Sequence, residues 1–211
     1  MSVEAKICGL STPETVDAAV RFGARYVGFV TYPKSPRHIS TETLRELGAK
    51  VPKSVIRVGL FVDPDDALLD EKLGSGALDM LQLHGSETPE RVASIRQRTG
   101  KPVMKAIKVT AAGDVEQGIK AYESVVDRLM FDAAEGILPG GNAKAFDWTF
   151  LSGRTIALPW FLAGGLTPEN VAEAVRVTGA RAVDVSSGVE ETRGVKSIDR
   201  IRAFLDRVKA L

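Results

Sequence analysis

Short apolar runs recur along the chain, and each is followed by a turn signal and then by a stretch with helical spacing. The runs are continuous and do not alternate between apolar and polar residues, which is typical of strands buried on both faces, as in parallel sheets. They lie at Ala5–Cys8, Tyr26–Val30, Ile56–Val62, Leu78–Leu83, Val103–Val109, Arg128–Phe131, Trp160–Ala163 and Ala182–Val185. The pattern therefore predicts eight strands, each leading into a helix.

The stretches between the runs carry residues that favour the two ends of helices. An oxygen-bearing side chain caps the first free N–H groups of a helix, and a proline fits its first position. This pair occurs at Thr12-Pro13, Asp63-Pro64, Thr88-Pro89 and Thr167-Pro168, and caps without a proline are expected at Ser40 and Ser197. Glycines expected at helix C-caps are Gly23, Gly74, Gly100 and Gly179.

Strands that alternate with helices indicate βαβ units and parallel pairing. Eight such units in 211 residues predict a closed (β/α)8 TIM barrel, and we expect residues 1–211 to form a single α/β domain of this kind. An open doubly wound sheet would carry a G-x-G-x-x-G phosphate motif after its first strand, whereas only Gly9 stands there. The glycine-rich segment Ala133–Ala145 is expected to be a long loop within the domain.

Charge and composition narrow the possible partners. The 28 Lys and Arg residues nearly balance the 27 Asp and Glu residues, which leaves a net charge of +1. A nucleic-acid-binding surface needs a clear basic excess, so no nucleic-acid partner is expected. One cysteine excludes an intramolecular disulfide and a site with several thiolates, and two histidines leave little for a histidine-rich metal site. We therefore expect no metal held by the protein.

Targeting and membrane segments are not apparent in the sequence. The N-terminus is short and charged, and no run approaches the length of a membrane-spanning helix. A soluble cytoplasmic protein without a membrane partner is therefore expected, and a lone reduced cysteine fits that compartment. The sequence leaves open whether the protein is a monomer or a homodimer.

Chemistry-bearing residues gather at the ends of the predicted strands. Because the active site of a (β/α)8 barrel lies at the carboxyl ends of its strands, these residues are expected to meet at one mouth. They are Cys8 after the first strand, Arg37 in a proline-braced loop after the second, His84 after the fourth, Asp132 after the sixth and Asp184 on the eighth. We hypothesise that this mouth is the functional site.

Glycine-rich loops follow the last two predicted strands. Gly164-Gly165 and Ser186-Ser187-Gly188 stand where barrels of this kind often bind phosphate through backbone N–H groups. Either loop alone is explained by ordinary turn residues, but the pair at the expected strand ends favours a phosphorylated ligand. This signal indicates the ligand and leaves the reaction open.

The thiol and the carboxylate at the mouth each allow two interpretations. Cys8 is either a small buried hydrophobe or a general base, and Lys6 on the same face of the strand would help to lower its pKa. Asp132 is either a loop carboxylate or a general acid, and an acid must hold its proton near neutral pH, which requires a poorly solvated site.

The remaining polar residues of the mouth also allow two interpretations each. Arg37 is either a solvated surface residue or a planar fork that grips a carboxylate. His84 is either a site residue or simply a hydrogen-bonded residue at a strand end. Asp184 accepts from a sugar hydroxyl or holds the phosphate loop in place.

The opening Lys6-Ile7-Cys8-Gly9-Leu10 resembles the KICG(I/L) start of the phosphoribosylanthranilate isomerase family, (β/α)8 enzymes of tryptophan biosynthesis. The resemblance runs nearly end to end. Further matching segments are Tyr26–Phe29 with Ser35-Pro36-Arg37, Val58–Val62, Leu81–Gly85 with Glu87, Phe131-Asp132, Phe146–Trp148, Leu162–Leu166 with Pro168, Asn170 and Val171, and Asp184–Glu190 with Gly194 and Lys196. One departure is Ala143, where the family commonly has a further glycine.

The resemblance implies a reaction and a role for each matching residue. The family converts N-(5-phosphoribosyl)anthranilate to 1-(2-carboxyphenylamino)-1-deoxyribulose 5-phosphate by an Amadori rearrangement, without cofactor or metal. It implies that Asp132 is the general acid and Cys8 the general base. Arg37 would bind the anthranilate carboxylate, and the loops at Gly164-Gly165 and Ser186–Gly188 would hold the phosphate. The expected partner is thus a small phosphorylated substrate.

Three alternatives remain at this stage. A metal-dependent sugar-phosphate epimerase would need two His and two Asp residues at strand ends, and the chain has only His38 and His84. A bifunctional histidine–tryptophan isomerase would need a second phosphate site. A non-catalytic phosphoribosyl-binding barrel could have lost its acid or base, whereas this chain has both Cys8 and Asp132.

Overall fold

The computed structural model describes residues 2–133 and 147–211. Its eight main strands pair in parallel in chain order, and the last closes on the first to form a barrel. The strands are Glu4–Cys8 (β1), Tyr26–Val30 (β2), Ile56–Phe61 (β3), Met80–Leu83 (β4), Val103–Val109 (β5), Arg128–Ala133 (β6), Trp160–Leu162 (β7) and Ala182–Val185 (β8). The predicted (β/α)8 barrel is confirmed, and each predicted strand is found within two residues of its expected ends.

Seven α-helices are present among the described residues. They are Pro13–Arg21 (α1), Thr41–Ala49 (α2), Asp66–Leu73 (α3), Pro89–Thr99 (α4), Ala112–Tyr122 (α5), Val171–Thr178 (α6) and Ile198–Lys209 (α7). Between β6 and β7 the described part of the chain holds only a short 3₁₀ helix, Trp148–Leu151. An antiparallel hairpin, Glu190–Thr192 (β9) with Val195–Lys196 (β10), follows β8. The expected loop Ala133–Ala145, with Ala143, lies outside the described residues beyond Ala133.

Helix caps follow the sequence at some sites and depart from it at others. Thr12, Ser40, Thr88 and Ser197 each accept a hydrogen bond from a backbone N–H of the first turn, as predicted. The predictions at Asp63-Pro64 and Thr167-Pro168 are wrong. Helix α3 is capped by Asp65, because the Asp63 carboxylate accepts from the N–H of Ser86 in the next loop. Helix α6 begins only at Val171, after a turn in which the Thr167 N–H donates to Asn170.

Two apolar layers hold the barrel together. Side chains on the outer face of the strands, such as Ile7, Val27 and Phe29, pack against the helices. Inside the barrel, the Tyr26 and Phe161 rings meet edge to face with their centroids 5.1 Å apart. Because side chains alternate along a strand, the interior face ends in polar residues at the carboxyl end of the barrel. Within the described residues, no helix combines the length and apolar character needed to cross a membrane.

Candidate active site

Cys8 belongs to a small polar group buried at the end of β1. It is 3% exposed, and Lys6, on the same face of the strand, is completely buried. Lys6 Nζ donates to Asp184 Oδ1 of β8 at 2.7 Å. Gly28 of the neighbouring strand leaves the necessary space, since a Cβ at this position would lie 2.9 Å from Lys6 Nζ and 3.0 Å from Cys8 Sγ. Asp184, expected to serve a sugar hydroxyl or the phosphate loop, thus holds Lys6.

Burial and charge act in opposite directions on this group. Burial raises the pKa of the Cys8 thiol above its ordinary value, and the nearby Lys6 ammonium offsets this only in part. The expected lowering by Lys6 is therefore present, but burial outweighs it. Burial alone would lower the pKa of Lys6, yet attraction to Asp184 and to the thiolate form of Cys8 raises it. The Lys6 side chain is held as an ammonium that faces the thiol.

Asp132, the penultimate residue of β6, lies on the interior face and contacts His84, which follows β4. Asp132 Oδ2 lies 2.9 Å from His84 Nε2, and the side chains are 24% and 31% exposed. The acid was expected in a poorly solvated site, whereas about a quarter of its side chain is open. The structure therefore brings His84 and Asp132 into contact at the mouth.

Arg37 is held by a carboxylate from the hairpin that follows β8. Its Nε and Nη2 donate to the two oxygens of Glu190 at 2.5 and 2.8 Å. Glu190 also accepts from Lys196 Nζ at 2.8 Å, and Lys196 in turn donates to the carbonyl oxygen of Ser186. Arg37 is 19% exposed and is therefore no freely solvated surface residue. The guanidinium fork of Arg37 thus binds a protein carboxylate in a bidentate manner.

The two glycine-rich loops touch each other above β7 and β8. Gly164 and Gly165 have φ of 86° and 67°, a region that favours glycine. A Cβ at Gly188 would overlap the carbonyl oxygen of Leu166, so glycine lets the loops meet. The N–H groups of Gly164, Gly165, Ser187 and Gly188 donate to no other residue within the described part of the chain. A cluster of unbonded N–H groups is the arrangement that an anion requires.

A buried ion pair fixes the loop that carries His84. Glu87 and Lys105 lie 3.1 Å apart, with side-chain exposures of 1% and 4%. Glu87 accepts from the N–H groups of Asp63 and Gly85, while Lys105 Nζ donates to the carbonyl oxygen of Gly85. These bonds join the loops after β3 and β4 to β5. The loop that carries His84 is thereby held through both the N–H and the carbonyl oxygen of Gly85.

Several residues of the site were not assigned a role from the sequence. Glu190, Lys196, Gln82 and Gly28 occur only within the segments that carry the family resemblance or within predicted strands. A signal for Gln82 was present, because a polar residue inside the apolar run Leu81–Leu83 must find a partner once buried. No comparable signal marks Glu190, whose partner Arg37 lies 153 positions away.

The sequence profile of the family described as N-(5'phosphoribosyl)anthranilate (PRA) isomerase matches residues 5–207. The chain belongs to this family. It is therefore an isomerase, and the family predicted from the motifs is confirmed. Membership also decides against the metal-dependent epimerase.

Similar proteins agree with this assignment along the whole chain. The N-(5'-phosphoribosyl)anthranilate isomerase of Paracoccus denitrificans is 56% identical over 213 residues, covering 100% of this chain and 99% of that protein. The crystal structure of phosphoribosyl anthranilate isomerase from Thermotoga maritima has a TM-score of 0.89 and 38% identity, covering 99% of this chain and 100% of its own. A further crystal structure of such an isomerase, in complex with reduced 1-(o-carboxyphenylamino)-1-deoxyribulose 5-phosphate, has a TM-score of 0.83 and 34% identity, with coverage of 99% and 100%.

Proposed function

We propose that Asp132 and Cys8 provide the acid and the base for the isomerisation of N-(5-phosphoribosyl)anthranilate in tryptophan biosynthesis, the reaction of this family. The order of strands around the barrel carries the proposal. Strand β6 with Asp132 is followed by β7, β8 and then β1 with Cys8. The glycine-rich loops of β7 and β8 thus lie between the acid and the base. A sugar phosphate anchored there would present its ring to both groups.

The acid step opens the furanose ring. Protonated Asp132 gives its proton to the ring oxygen while the bond from C1 to that oxygen breaks. The lone pair of the anthranilate nitrogen forms the C1=N bond, which gives the Schiff base. The carboxylate left on Asp132 would be stabilised by the His84 ring, whose Nε2 lies 2.9 Å from Oδ2.

The base step moves the double bond. The Cys8 thiolate removes the proton from C2, the released electron pair forms a C1=C2 bond, and the iminium nitrogen becomes neutral. The resulting enolamine becomes the ketone as its C2 hydroxyl loses a proton and C1 gains one. Burial makes the thiolate costly, so the Lys6 ammonium is needed beside it as the compensating charge.

Binding groups for the two charged ends of the substrate lie on either side of this chemistry. The unbonded N–H groups of Gly164, Gly165, Ser187 and Gly188 would hold the phosphate. Arg37, positioned by Glu190, would bind the anthranilate carboxylate, which a guanidinium group recognises by its planar N–H donors and by charge.

The chain is further proposed to act as one barrel domain over residues 1–211, since its strands close a single ring. We place it in the cytoplasm. This location is supported by the proposed role of Cys8, because a general base of this kind must stay reduced and the cytoplasm maintains free thiols.

The test follows the fluorescence of anthranilate as freshly made phosphoribosylanthranilate is consumed. Asp132→Asn and Cys8→Ser are each expected to lower kcat by about 10²- to 10⁴-fold, with a much smaller change in KM. Asp17→Asn, an exposed residue on α1, is the matched control and should retain the rate. A kcat within a few-fold of the parent for either variant would refute the role assigned to that residue.

A further inference from the structure

A chain of side chains leads from the barrel interior to the proposed acid. Gln82 of β4 is completely buried, and its Nε2 lies 2.9 Å from His84 Nδ1. The other ring nitrogen, Nε2, lies 2.9 Å from Asp132 Oδ2. Both nitrogens of the imidazole are thus engaged, one by a buried amide and one by the acid. The state of His84 is therefore linked to the orientation of the Gln82 amide.

The surroundings of Gln82 determine which end of its amide faces the ring. The amide nitrogen lies between His84 Nδ1 and Met130 Sδ, the latter at 3.3 Å, and sulfur is a weak acceptor. The amide oxygen has no hydrogen-bond partner among the described residues. Turning the amide round would place its oxygen against the sulfur and leave two buried N–H donors unbonded in place of one acceptor. Unbonded buried donors are the rarer of the two in proteins, so the observed orientation is favoured.

We propose that Gln82 is a positioning residue that holds His84 in the tautomer with Nδ1 unprotonated and Nε2 protonated. The amide N–H donates to Nδ1, so the single N–H of the neutral imidazole lies on Nε2 and is directed at Asp132. This inference rests on the proposed role of Asp132 for its meaning, but the tautomer itself is independent of that role. An amide that fixes a ring tautomer is a known means of orienting a histidine.

The tautomer has a direct consequence for the acid step. With Nε2–H facing Oδ2 at 2.9 Å, the proton that Asp132 delivers must lie on Oδ1, the other carboxyl oxygen. As that proton leaves, the attraction between the Nε2–H of His84 and the carboxylate grows, because the acceptor becomes charged. In the reverse tautomer, the lone pair of Nε2 would face the Asp132 carboxylate as it forms and would destabilise it. Gln82 thus favours the transition state without touching the substrate.

Other ionisable groups near His84 also affect the charge of its ring. Lys108, the penultimate residue of β5, pairs with Asp132 in the sheet register, and Lys105 lies on the same strand. Glu87 and Asp63 belong to the loops around Gly85. Among the described residues, the ionisable groups that these contacts place around His84 are Asp132, Lys108, Lys105, Glu87 and Asp63. Lys105 and Glu87 neutralise each other at 3.1 Å. Asp132 and Lys108 remain in the variants below, so a change in the His84 ring can be traced to position 82.

The first test is a spectroscopic measurement on the unmodified protein. The chain has two histidines, so 15N-histidine labelling gives two rings, and His38→Gln assigns them. At neutral pH we expect His84 to show a pyridine-like Nδ1 and a pyrrole-like Nε2. The opposite pattern, or two protonated nitrogens, would overturn the proposal. Activity is not measured, so this result stands apart from the role assigned to Asp132.

The second test changes the amide. In Gln82→Glu a carboxylate accepts from Nδ1–H, so we expect the tautomer to reverse and kcat to fall about 10- to 100-fold with little change in KM. Gln82→Met, which has no amide N–H, should lose the fixed tautomer and show a smaller fall. Gln97→Glu, the same change at an exposed site on α4, is the control. An unchanged tautomer or an unchanged kcat in Gln82→Glu would contradict the proposal.

The two tests distinguish a variant that does not fold from an incorrect role for Asp132. If Gln82→Glu does not fold, the measurement on the unmodified protein still decides the tautomer. If Asp132→Asn keeps its rate while His84 shows the expected tautomer, then the role of Asp132 is wrong and the positioning by Gln82 is retained.

Discussion

Glu190 joins Arg37 to the loop after β8, and replacing it tests that connection. Its carboxylate accepts from Arg37 Nε and Nη2, from Lys196 Nζ at 2.8 Å and from the Gly194 N–H at 3.0 Å. Its side chain is only 5% exposed. In Glu190→Gln both cations lose their counter-charge while most of the shape is kept. We expect a loss of stability together with a raised KM, because Arg37 is no longer held.

The size of the loss follows from the charge state of Glu190. Burial would raise the pKa of its carboxyl, but the bonds from Arg37, Lys196 and Gly194 outweigh burial and lower it from 4.5 to about 2. At about 1.4 kcal/mol per pH unit, this gap corresponds to about 3 kcal/mol. The pKa of Glu190 is lower in the folded state than in the unfolded chain. The stabilisation is therefore complete above pH 4.5 and is lost as the pH falls through about 2.

Urea unfolding of Glu190→Gln, followed by tryptophan fluorescence, measures this directly. At neutral pH we expect a loss of about 3 kcal/mol in the free energy of unfolding, within the range for breaking a buried ion pair. The difference from the parent should shrink steadily below pH 4.5. Glu191→Gln, the exposed neighbour, should change little. A loss below about 1 kcal/mol, or one that does not depend on pH, would refute the reasoning.

Three further predictions concern the mouth of the barrel. Gly28→Ala should lower kcat more than it raises KM, because its Cβ would crowd Lys6 Nζ and Cys8 Sγ; Gly113→Ala, where the nearest atom is 3.8 Å away, is the control, and equal rates for both would contradict the contact. Lys6→Met removes the cation that opposes the raised pKa of Cys8, so the rise of kcat/KM with pH should move to higher pH, and an unmoved profile would exclude Lys6 as the compensating charge. Arg37→Ala should raise KM by about tenfold or more, and an unchanged KM and kcat would refute the carboxylate contact.

The barrel could be predicted because each buried strand appears in the sequence as a local apolar run. Strands that are covered on both faces need continuous apolar runs, and Tyr26–Val30, Val103–Val109 and Ala182–Val185 were predicted to the residue. Helix starts were predictable where the cap competes with nothing else, as at Thr88. At Asp63 the prediction failed because a loop distant in sequence supplies a stronger partner, the Ser86 N–H. The residue type makes a helix cap possible, and tertiary contacts determine whether that cap forms.

The location of the site was predictable for a topological reason, while its internal bonding was not. Parallel strands bring their carboxyl ends together, so Cys8 and Asp132 could be placed at one mouth without any contact being known. What each group is bonded to depends on partners from other strands, such as Glu190 for Arg37 and Asp184 for Lys6, 153 and 178 positions apart. No periodicity spans such distances.

Buried polar residues mark the places where such distant partners must exist. A Lys or Gln inside an apolar strand loses its hydration on folding. This loss destabilises the folded protein unless the buried group finds a hydrogen-bonding or charged partner. Lys6 and Gln82 are two residues of this kind, both completely buried on the interior face. Lys6 faces Cys8, the proposed base, and Gln82 contacts His84, which lies against Asp132, the proposed acid. The interior polar positions of the strands therefore carry information about the mechanism that the strand ends alone do not.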